Sequence, residues 1–358
     1  MKTFNRYLLL ALGLALLLAL AACGGGDAEE TTGDSTTPDE TETTDEADVD
    51  SDEEFELILA TVVNPPHPWV DMGEFFAEEL EKRTDGKVKV SVHHSATLGD
   101  DEAIMDEMLI GTIDFIVGGA QNAAPYIPQY QIFGLSYLFD DMDMFEEAIA
   151  HDSEITARFK ELYEENGFEL KLLGLSGGGT RYTSHKDKQI TEAADMEGVK
   201  MRLPGSPIES KIWGELGAVP TSLPWNEVYS GVQTGVVEAF ESTLSGYQGS
   251  KLHEVAPNVA KTEHLFMASH FTMSKVTEEK LPDEYNEIIE ELAIEACYLG
   301  IEQGKKYDEE VMEQLEEMGV NISEVDKESF QVVVEPLYEE LAEELGAMDL
   351  LEMIQDLK

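Results

Sequence analysis

Two arginines stand out in a chain that has few cations and many acids. The 358 residues include 23 Lys and Arg against 75 Asp and Glu, a formal net charge of -52. Arg181 lies in the uncharged stretch GTRYTS, and Arg202 lies in the alternating stretch VKMRLP. A planar guanidinium binds a carboxylate through two parallel charge-assisted hydrogen bonds, and it does so best where water is excluded. These positions predict either a site for an organic acid or two surface ion pairs with the abundant Asp and Glu.

Residues that could catalyse a reaction or bind a metal do not form a recognisable motif. The sequence has no nucleophile elbow, no HExxH zinc motif and no Walker loop. His93 and His94 are adjacent, but neighbouring side chains on a strand point to opposite faces and cannot share a metal ion. Cys297 lies beside an apolar helix face, which favours a buried and inert thiol. We therefore expect a protein that is not an enzyme and needs no metal or cofactor.

Length and charge limit the class of protein further. At about 150 residues per domain, the chain predicts roughly two domains, and 42% hydrophobic residues suffice for a sizeable core. Nucleic-acid binding requires clustered cations that neutralise phosphates, and the large excess of acids argues against it. We expect a two-domain globular protein with no nucleic-acid partner.

The first 22 residues are typical of an export signal. Lys2 and Arg6 precede an apolar run over 8–22, which is shorter than the stretch of about 20 residues that spans a membrane. The following Cys23 and Gly24 complete a pattern that resembles the lipobox of bacterial lipoproteins, in which the cysteine is acylated after cleavage. The pattern predicts a signal peptide over 1–22 and a lipid anchor on Cys23. The alternative is an ordinary signal peptide followed by a chance cysteine.

A strongly acidic segment separates this N-terminal region from the rest of the chain. Residues 27–54 contain 14 Asp and Glu, no Lys or Arg and almost nothing apolar. Such a segment cannot bury enough surface to offset its ordering entropy, and its charges repel one another. The sequence therefore predicts a disordered, lipid-anchored linker over 23–54.

Strand-like and helix-like patterns alternate after the linker. A helix is predicted over 69–83 between strands over 57–63 and 87–92. A second helix over 100–109 precedes a strand over 113–117. This alternation predicts an α/β sheet with helices on its faces and parallel strands.

The second half of the chain begins with a glycine run. A strand over 170–175 is followed by Gly177, Gly178 and Gly179, which predicts either a hinge where the chain crosses between domains or a simple surface loop. Further on, apolar residues at helical spacing predict an amphipathic helix over 283–299. Acidic helices are expected to continue to the end of the chain.

Several of these stretches together resemble a known family. Residues 55 to about 345 are similar to the DctP-type solute receptors of TRAP transporters, chiefly in ADMEGVKMRLP and LGAVPTSLPWNEVYSGVQTGVVEA. The resemblance implies an α/β, two-domain clamshell like that of periplasmic binding proteins, with long C-terminal helices. Domain I would comprise 55–178 plus about 268–307, and domain II would comprise 179–267 plus about 308–358.

The resemblance also implies which residues bind the ligand. The arginine of the KMRLP-like strand, which pairs with the ligand carboxylate in the family, corresponds to Arg202, and Arg181 corresponds to an arginine close to the same carboxylate. Trp225 corresponds to an aromatic that covers the ligand, and core packing is the alternative role for it. Glu241 and Ser242 stand where the family often has Glu-Asn, and the shorter serine reaches less far than an amide.

The other domain is expected to supply specificity. Its candidate residues are His67, Trp69, Gln121 and Asn122, and structural roles are the alternative for each. Sialic-acid receptors of the family have a glutamate and an arginine where this chain has Gly119 and Asn122, so sialic acid is disfavoured. Asn and Gln donors suit hydroxyl or carboxylate oxygens.

The implied function is extracytoplasmic solute capture. The receptor would sit on the outer face of the cell membrane, bind a small organic acid such as a dicarboxylate or a sugar acid, and deliver it to the TRAP membrane permease. A ligand-sensing lipoprotein on the same fold is the main alternative, and a carboxylate-processing enzyme is a weaker one.

Overall fold

The computed structural model describes residues 53–358, apart from the side chain at position 316. The predicted signal peptide over 1–22, the anchor at Cys23 and nearly all of the predicted linker over 23–54 lie outside the described residues. Within 53–358, no helix combines the length and the apolar character that a membrane span requires.

Nine strands of the described chain form one mixed sheet. They are β1 (Phe55–Ala60), β2 (Val88–His93), β3 (Phe115–Gly119), β4 (Leu170–His185), β5 (Lys200–Leu203), β6 (Val219–Ser222), β7 (Ala239–Thr243), β8 (Asn258–Ser274) and β9 (Asn321–Ser323). The order across the sheet is β2-β1-β3-β8-β4-β7-β5-β6, and β9 pairs with β8. The long strands β8 and β4 therefore lie between two groups of three short strands.

Parallel pairing predominates in the outer parts of the sheet, and the short strand β9 is parallel to the end of β8 that it pairs with. β1 is parallel to β2 and β3, and β5 is parallel to β6 and β7. In the centre, β8 pairs antiparallel with β3 and β4, and β4 pairs antiparallel with β7. The prediction of parallel strands is right for the opening βαβ units and wrong for the centre of the sheet. There, the chain passes from the first group of short strands to the second along β4 and returns along β8, so these two neighbouring strands run in opposite directions.

Twelve α-helices occur in residues 53–358. They are α1 (Pro68–Arg83), α2 (Asp101–Leu109), α3 (Met142–Ile149), α4 (Glu154–Asn166), α5 (Pro207–Glu215), α6 (Val228–Thr234), α7 (Leu244–Gly249), α8 (Lys275–Glu278), α9 (Asp283–Glu317), α10 (Lys327–Val334), α11 (Tyr338–Leu345) and α12 (Met348–Gln355). The predicted helices over 69–83 and 100–109 are confirmed within one residue as α1 and α2. The predicted helix over 283–299 continues to Glu317 as α9, and Cys297 on it is buried, with the pKa of its thiol raised to about 12 by burial.

Side-chain caps begin the two helices that follow β1 and β2. His67 Nδ1 accepts a hydrogen bond from Trp69 N at 3.2 Å at the start of α1, where Pro68 occupies the first turn. Asp100 Oδ1 accepts from Ala103 N at 3.0 Å at the start of α2. These bonds fix the loops at the carboxyl ends of both strands.

Aromatic rings fill the core between α1 and the sheet. Phe76 of α1 contacts Phe115 of β3 and Phe271 of β8 edge-on, at ring-centroid distances of 5.2 and 4.9 Å. All three side chains are fully buried. Burying each stabilises the fold by about 1.5–3 kcal/mol relative to exposing it, so this cluster anchors the first half of the sheet to its covering helix.

The glycine run lies inside a buried strand. β4 extends for 16 residues, well past the predicted end at 175, and includes Gly177, Gly178 and Gly179. Gly179 has φ +102°, and a Cβ on Gly304 of α9 would lie 2.7 Å from Gly179 N, so only glycines permit this close approach of α9. The surface-loop alternative for this run is wrong. Its role as a hinge stays a prediction.

The three predicted crossing points between domains lie side by side. Gly177 pairs with Ala268 and Thr180 pairs with Phe266, with a register shift between the two pairs. Thr180 N also donates to Asp308 Oδ2 of α9 at 2.7 Å. The boundaries predicted after residues 178, 267 and 307 thus meet at one place, where α9 contacts β4. The division into two domains at these points remains a prediction.

Candidate functional site

The carboxyl ends of strands from both outer groups meet at one cavity. The segment 62–69 follows β1 and the segment 121–122 follows β3, whereas residues 202–204 and 242–246 lie at the ends of β5 and β7. Open α/β sheets bind ligands at such edges. The cavity encloses ≈ 460 Å³ of space with its open mouth included.

Eight of the nine predicted ligand-binding residues line this cavity, and Glu241 does not. The complete lining consists of Val62, Val63, His67, Trp69, Gln121, Asn122, Arg181, Arg202, Pro204, Trp225, Ser242, Thr243, Gly246 and Met267. The fold therefore brings together side chains that are up to 205 positions apart in the sequence, from 62 to 267.

Arg202 is buried without a carboxylate partner. Its Nε and Nη2 atoms donate to the carbonyl oxygen of Leu223 at 2.9 and 2.8 Å, and its guanidinium carbon lies 5.5 Å from the ring centroid of Trp225. Burial lowers the pKa of Arg202 to about 10, which keeps it charged at neutral pH. No Asp or Glu in residues 53–358 forms an ion pair with it, so the surface-pair alternative is wrong for Arg202 and its Nη1 atom is available to a group in the cavity.

Arg181 has the opposite arrangement. Its Nε and Nη2 atoms donate to the two carboxylate oxygens of Glu241, and both residues are buried. Burial would raise the pKa of Glu241, but the charge of Arg181 outweighs that effect and holds it at about 2. Glu241, which the sequence predicted as a ligand-binding residue, instead neutralises Arg181 from the far side of the cavity wall.

His264 completes this buried ion pair. Its Nε2 atom lies 3.7 Å from Glu241 Oε2, and its Nδ1 atom lies 2.9 Å from the Thr262 hydroxyl. Burial lowers the pKa of His264, so the imidazole is neutral at pH 7. The Arg181–Glu241 pair therefore has no net charge and is supported by a neutral neighbour.

Several buried donors around the cavity lack a partner within the described chain. They are Trp69 Nε1, Trp225 Nε1 and Gln121 Nε2. His67 adds another donor: its Nδ1 atom accepts from Trp69 N, so the proton of the neutral ring is on Nε2, and burial lowers its pKa to about 3. Buried donors without partners are rare in proteins. A ligand rich in oxygen atoms would satisfy them.

A second, acidic cavity adjoins the first and shares Asn122 and Trp225 with it. Its lining consists of Asp100, Asp101, Glu102, Asn122, Pro125, Gly205, Ser222, Leu223, Pro224 and Trp225. Asn122 Nδ2 donates to Asp101 Oδ2 at 3.0 Å, and the other oxygen of Asp101 is buried without a partner among the described residues. Burial raises the pKa of Asp101 to about 6. One side of the combined space is thus basic and the other is acidic.

Trp225 and Ser242 form parts of the wall next to Arg202 and Glu241. Trp225 begins a short 3₁₀ turn (Trp225–Glu227), is half-buried, and lies over the Arg202 guanidinium, so its role is not confined to core packing. Ser242 of β7 pairs with Tyr182 of β4 and is buried at the cavity surface. Both residues are positioned to touch a bound molecule.

Sequence reasoning missed two buried acids close to the cavity, Asp101 and Glu209. Both lie in the first turn of a helix: Asp101 directly follows the cap Asp100, and Glu209 is three residues after the cap Ser206. Acids in a first turn are common because they favour the helix dipole and capping, so sequence alone gives them a structural role. Both side chains are buried in the folded protein, which indicates a role beyond capping. That burial cannot be predicted from the sequence. No group of three or more His, Cys, Asp or Glu in residues 53–358 could hold a metal ion.

Comparison with known proteins identifies the family. The sequence profile of DctP, bacterial extracellular solute-binding protein, family 7, matches residues 59–345. The chain belongs to this family. A solute-binding protein of Sulfitobacter sp. is 29% identical to this family 7 protein over 299 residues, which cover 83% of this chain and 89% of the relative.

Solved structures agree with the family assignment. A TRAP periplasmic solute binding protein from Citrobacter koseri with bound D-glucuronate has 28% identity and a TM-score of 0.79, covering 85% of this chain and 99% of that one. A sugar acid binding protein from Advenella mimigardefordensis in complex with galactonate has a TM-score of 0.81 over 86% of this chain and 99% of that one, and its 22% identity shows the fold alone. The predicted α/β receptor fold is confirmed, and this family 7 protein is an extracytoplasmic solute receptor of the TRAP type.

Proposed function

We propose that this receptor captures a small organic acid whose carboxylate binds to Arg202 in the cavity at the strand ends. The observation that carries the proposal is a buried, charged guanidinium that has a carbonyl and an indole ring as neighbours and forms no ion pair with any described residue. An isolated buried cation is unfavourable unless an anion pairs with it. A carboxylate entering the cavity would supply that anion and meet Arg202 Nη1.

The charge pattern favours one carboxylate on a hydroxyl-rich body. Arg202 is the uncompensated cation of the lining, since Arg181 is neutralised by Glu241. A second carboxylate pointing toward the adjoining cavity would meet Asp100, Asp101 and Glu102. Hydroxyl groups, in contrast, can donate to those acids and accept from the free indole and amide donors. A sugar acid fits this arrangement better than a dicarboxylate.

Binding is expected to close the two halves of the receptor over the acid. Arg202 and Trp225 contribute from one half, and His67, Trp69 and Gln121 contribute from the other. Contacts from both sides stabilise a closed form over an open one, and only that difference can shift the population. A dissociation constant near 1 μM, or about -8 kcal/mol, would suffice for scavenging.

The location follows from the N-terminal pattern. We infer that residues 1–22 direct export, that Cys23 is acylated, and that the acidic segment up to residue 54 spaces the receptor from the outer face of the membrane, where it delivers the acid to TRAP permease subunits. Mass spectrometry of the N-terminal peptide from the native host would show a lipid-modified Cys23. An unmodified mature N-terminus would refute the anchor and leave the receptor function standing.

Calorimetric titration with a panel of acids tests the proposal. The panel contains D-glucuronate, D-galacturonate, galactonate and succinate, with N-acetylneuraminate as the disfavoured acid and D-glucuronamide as a neutral match for D-glucuronate. We expect one or more sugar acids to bind with micromolar affinity and the amide to bind at least about 30-fold more weakly, since a lost charge-assisted pair costs about 2–5 kcal/mol. Equal binding of D-glucuronate and its amide would contradict a carboxylate site.

A further inference from the structure

Glu209 is a buried acid that the binding scheme above does not use. It lies in the first turn of α5, is 0% exposed, and both of its carboxylate oxygens lack a hydrogen-bond partner of good geometry among the described residues. Ser206 and Glu209 have the spacing of a capping box, in which the Glu side chain would accept from the cap N–H. Here Ser206 N donates to the Pro204 carbonyl oxygen instead, and the Glu209 side chain lies in the protein interior beside Gly134.

The charges of three residues on different strands influence the pKa of the Glu209 carboxyl. These residues are Glu241 on β7, Arg181 on β4 and Arg202 on β5. The Gln121 amide, which lines the cavity, is also close to Glu209 but does not reach good hydrogen-bond geometry. Glu209 therefore belongs electrostatically to the ligand cavity, although it does not line it.

Other elements packed against α5 add no buried charge at neutral pH. His264 of β8, whose ring centroid lies 5.2 Å from that of Trp213 on α5, is neutral because burial lowers its pKa. The turn at Pro128–Gly134 has Tyr130 as its titratable group, and this residue is bonded to the Tyr163 hydroxyl. On α10, Lys327 is bonded to Glu263 and Glu328 is exposed. The neighbouring Lys211 of α5 points outward to Glu344 on α11.

The net charge of the buried cluster depends on the state of Glu209. With Glu209 ionised, the two arginines, Glu241 and Glu209 sum to zero, Asp101 near Arg202 adds at most one further negative charge, and a bound carboxylate would leave at least one uncompensated buried negative charge. Protonating Glu209 removes one negative charge, so that these four groups have one positive charge for a carboxylate to neutralise. Burying an unpaired charge is strongly unfavourable, so the second state is the one that accepts an anion.

We propose that Glu209 is the charge-balancing residue of the cavity, which holds a proton while a single carboxylate is bound on Arg202. This inference rests on the proposed organic-acid function. It restricts the ligand class to acids that bring one negative charge, and it couples their binding to a proton on Glu209. Two carboxylates that share a buried site cannot both ionise easily, and Arg181 fixes the charge on Glu241, which leaves the proton to Glu209.

The ionisation behaviour of Glu209 agrees with this role. Burial, together with the charge of Glu241, raises its pKa to about 8, against the opposing effect of the two arginines. A bound carboxylate adds negative charge nearby and raises that pKa further. Affinity for a monoanion should therefore be constant at pH values well below 8 and fall as the pH rises past 8.

The test is a calorimetric pH series on the full-length chain with D-glucuronate as the probe. Between pH 7 and 9.5 we expect the dissociation constant of the wild type to rise with a slope that approaches about tenfold per pH unit, the limit for one proton. At pH 8, titrations in two buffers of different ionisation enthalpy should show proton uptake on binding. Glu209→Gln should give a flat profile and no proton uptake. The matched variant Glu215→Gln, at the exposed end of the same helix α5, should retain the wild-type slope and the wild-type proton uptake. An unchanged slope in Glu209→Gln would overturn the proposal.

A ligand-free measurement keeps the two proposals separable. A Glu with a raised pKa in the folded state destabilises the fold progressively as the pH rises from its unfolded value toward its folded value. The melting temperature of Glu209→Gln relative to wild type should accordingly increase by several degrees between pH 5 and 8 and then level off. A difference that does not change with pH would contradict the buried proton even if D-glucuronate binds. Failure of D-glucuronate to bind at any pH would count against the sugar-acid function, and the melting profile would still decide the state of Glu209.

Discussion

Arg181 and Arg202 are both buried at the same cavity, yet their charges are compensated differently. Arg181 has a bidentate partner in Glu241, supplied by the neighbouring strand β7. Arg202 has a backbone carbonyl and the face of Trp225. The first arginine is part of the folded structure, and the second has a charge that the fold does not neutralise. A binding protein needs such a difference, because a cation that is already paired has little to gain from a ligand.

The comparison also separates stability from binding. Breaking a buried ion pair leaves an unpaired charge and is strongly destabilising, whereas removing a charge that has no partner relieves desolvation. Variants at the two arginines should therefore fail in different assays.

The largest effect is expected for Arg202→Ala in ligand binding. Truncating one partner of a desolvated charge pair costs about 2–5 kcal/mol, or roughly 30-fold to several thousand-fold in the dissociation constant. Calorimetry with the acid that binds most tightly in the panel would measure it. Arg83→Ala, which removes an exposed ion pair with Glu295, is the matched control and should bind normally. Undiminished binding by Arg202→Ala would remove the difference between the two arginines.

Glu241→Gln should affect folding first. It leaves the Arg181 guanidinium buried with a neutral partner, and we expect the free energy of unfolding to fall by about 3–5 kcal/mol. Denaturant titration without ligand measures this change. Glu238→Gln is the control, because Glu238 lies just before β7 and its side chain is 39% exposed. A stable Glu241→Gln variant would mean that Arg181 does not depend on its internal partner.

The pH dependence of that loss has a defined sign. The pKa of Glu241 is lowered to about 2 in the folded protein, so its stabilising contribution is complete above the unfolded value, about 4.3, and disappears as the pH falls toward 2. The difference in unfolding free energy between wild type and Glu241→Gln should therefore shrink over this window. A difference that stays constant from pH 5 to pH 2 would show that the charge of Glu241 is not responsible.

Trp225→Leu should weaken binding without harming the fold. The indole face contributes a cation–π contact of about 0.5–2 kcal/mol and keeps water from Arg202. We expect a loss of roughly 3- to 30-fold in affinity by calorimetry, whereas Trp225→Phe, which retains an aromatic face, should lose less. Equal losses for both variants would indicate that the Nε1 donor matters and the ring face does not.

Ser242→Ala should give the smallest change. A neutral hydrogen bond contributes about 0.5–1.5 kcal/mol, so we expect at most about a tenfold loss in affinity and an unchanged melting temperature. A larger loss would mean that Ser242, next to Glu241, is a principal contact and that the acid lies closer to Arg181 than to Arg202.

Sequence patterns predicted the outer parts of the fold better than its centre. The helices α1 and α2 could be predicted because their apolar spacing and their capping hydrogen bonds involve residues that are close in sequence. The antiparallel crossing on β4 and β8 is not local, since it joins residues near 177 to residues near 268. The glycine run there has the composition of a loop, and burial against α9 makes it part of a strand.

The residues of the candidate site also divide into those that sequence could predict and those that it could not. Arg202 and Trp225 could be named because their segments resemble a family and arginine is scarce in the chain. The partner of Arg181 could not be assigned, because Glu241 is one of 75 acids and only the pairing of β4 with β7 places it beside that arginine. Glu209 matches a capping pattern that its burial overrides. When the partner of a buried charge comes from another strand, it can be assigned only from the three-dimensional structure.

A crystal structure of the receptor with a bound sugar acid is the most direct measurement of which arginine meets the ligand. We predict that the acid's carboxylate accepts from Arg202 at about 2.7–2.9 Å, the usual length of a charge-assisted hydrogen bond, while Glu241 stays on Arg181. A carboxylate that displaces Glu241 from Arg181, or that lies away from Arg202, would contradict the account.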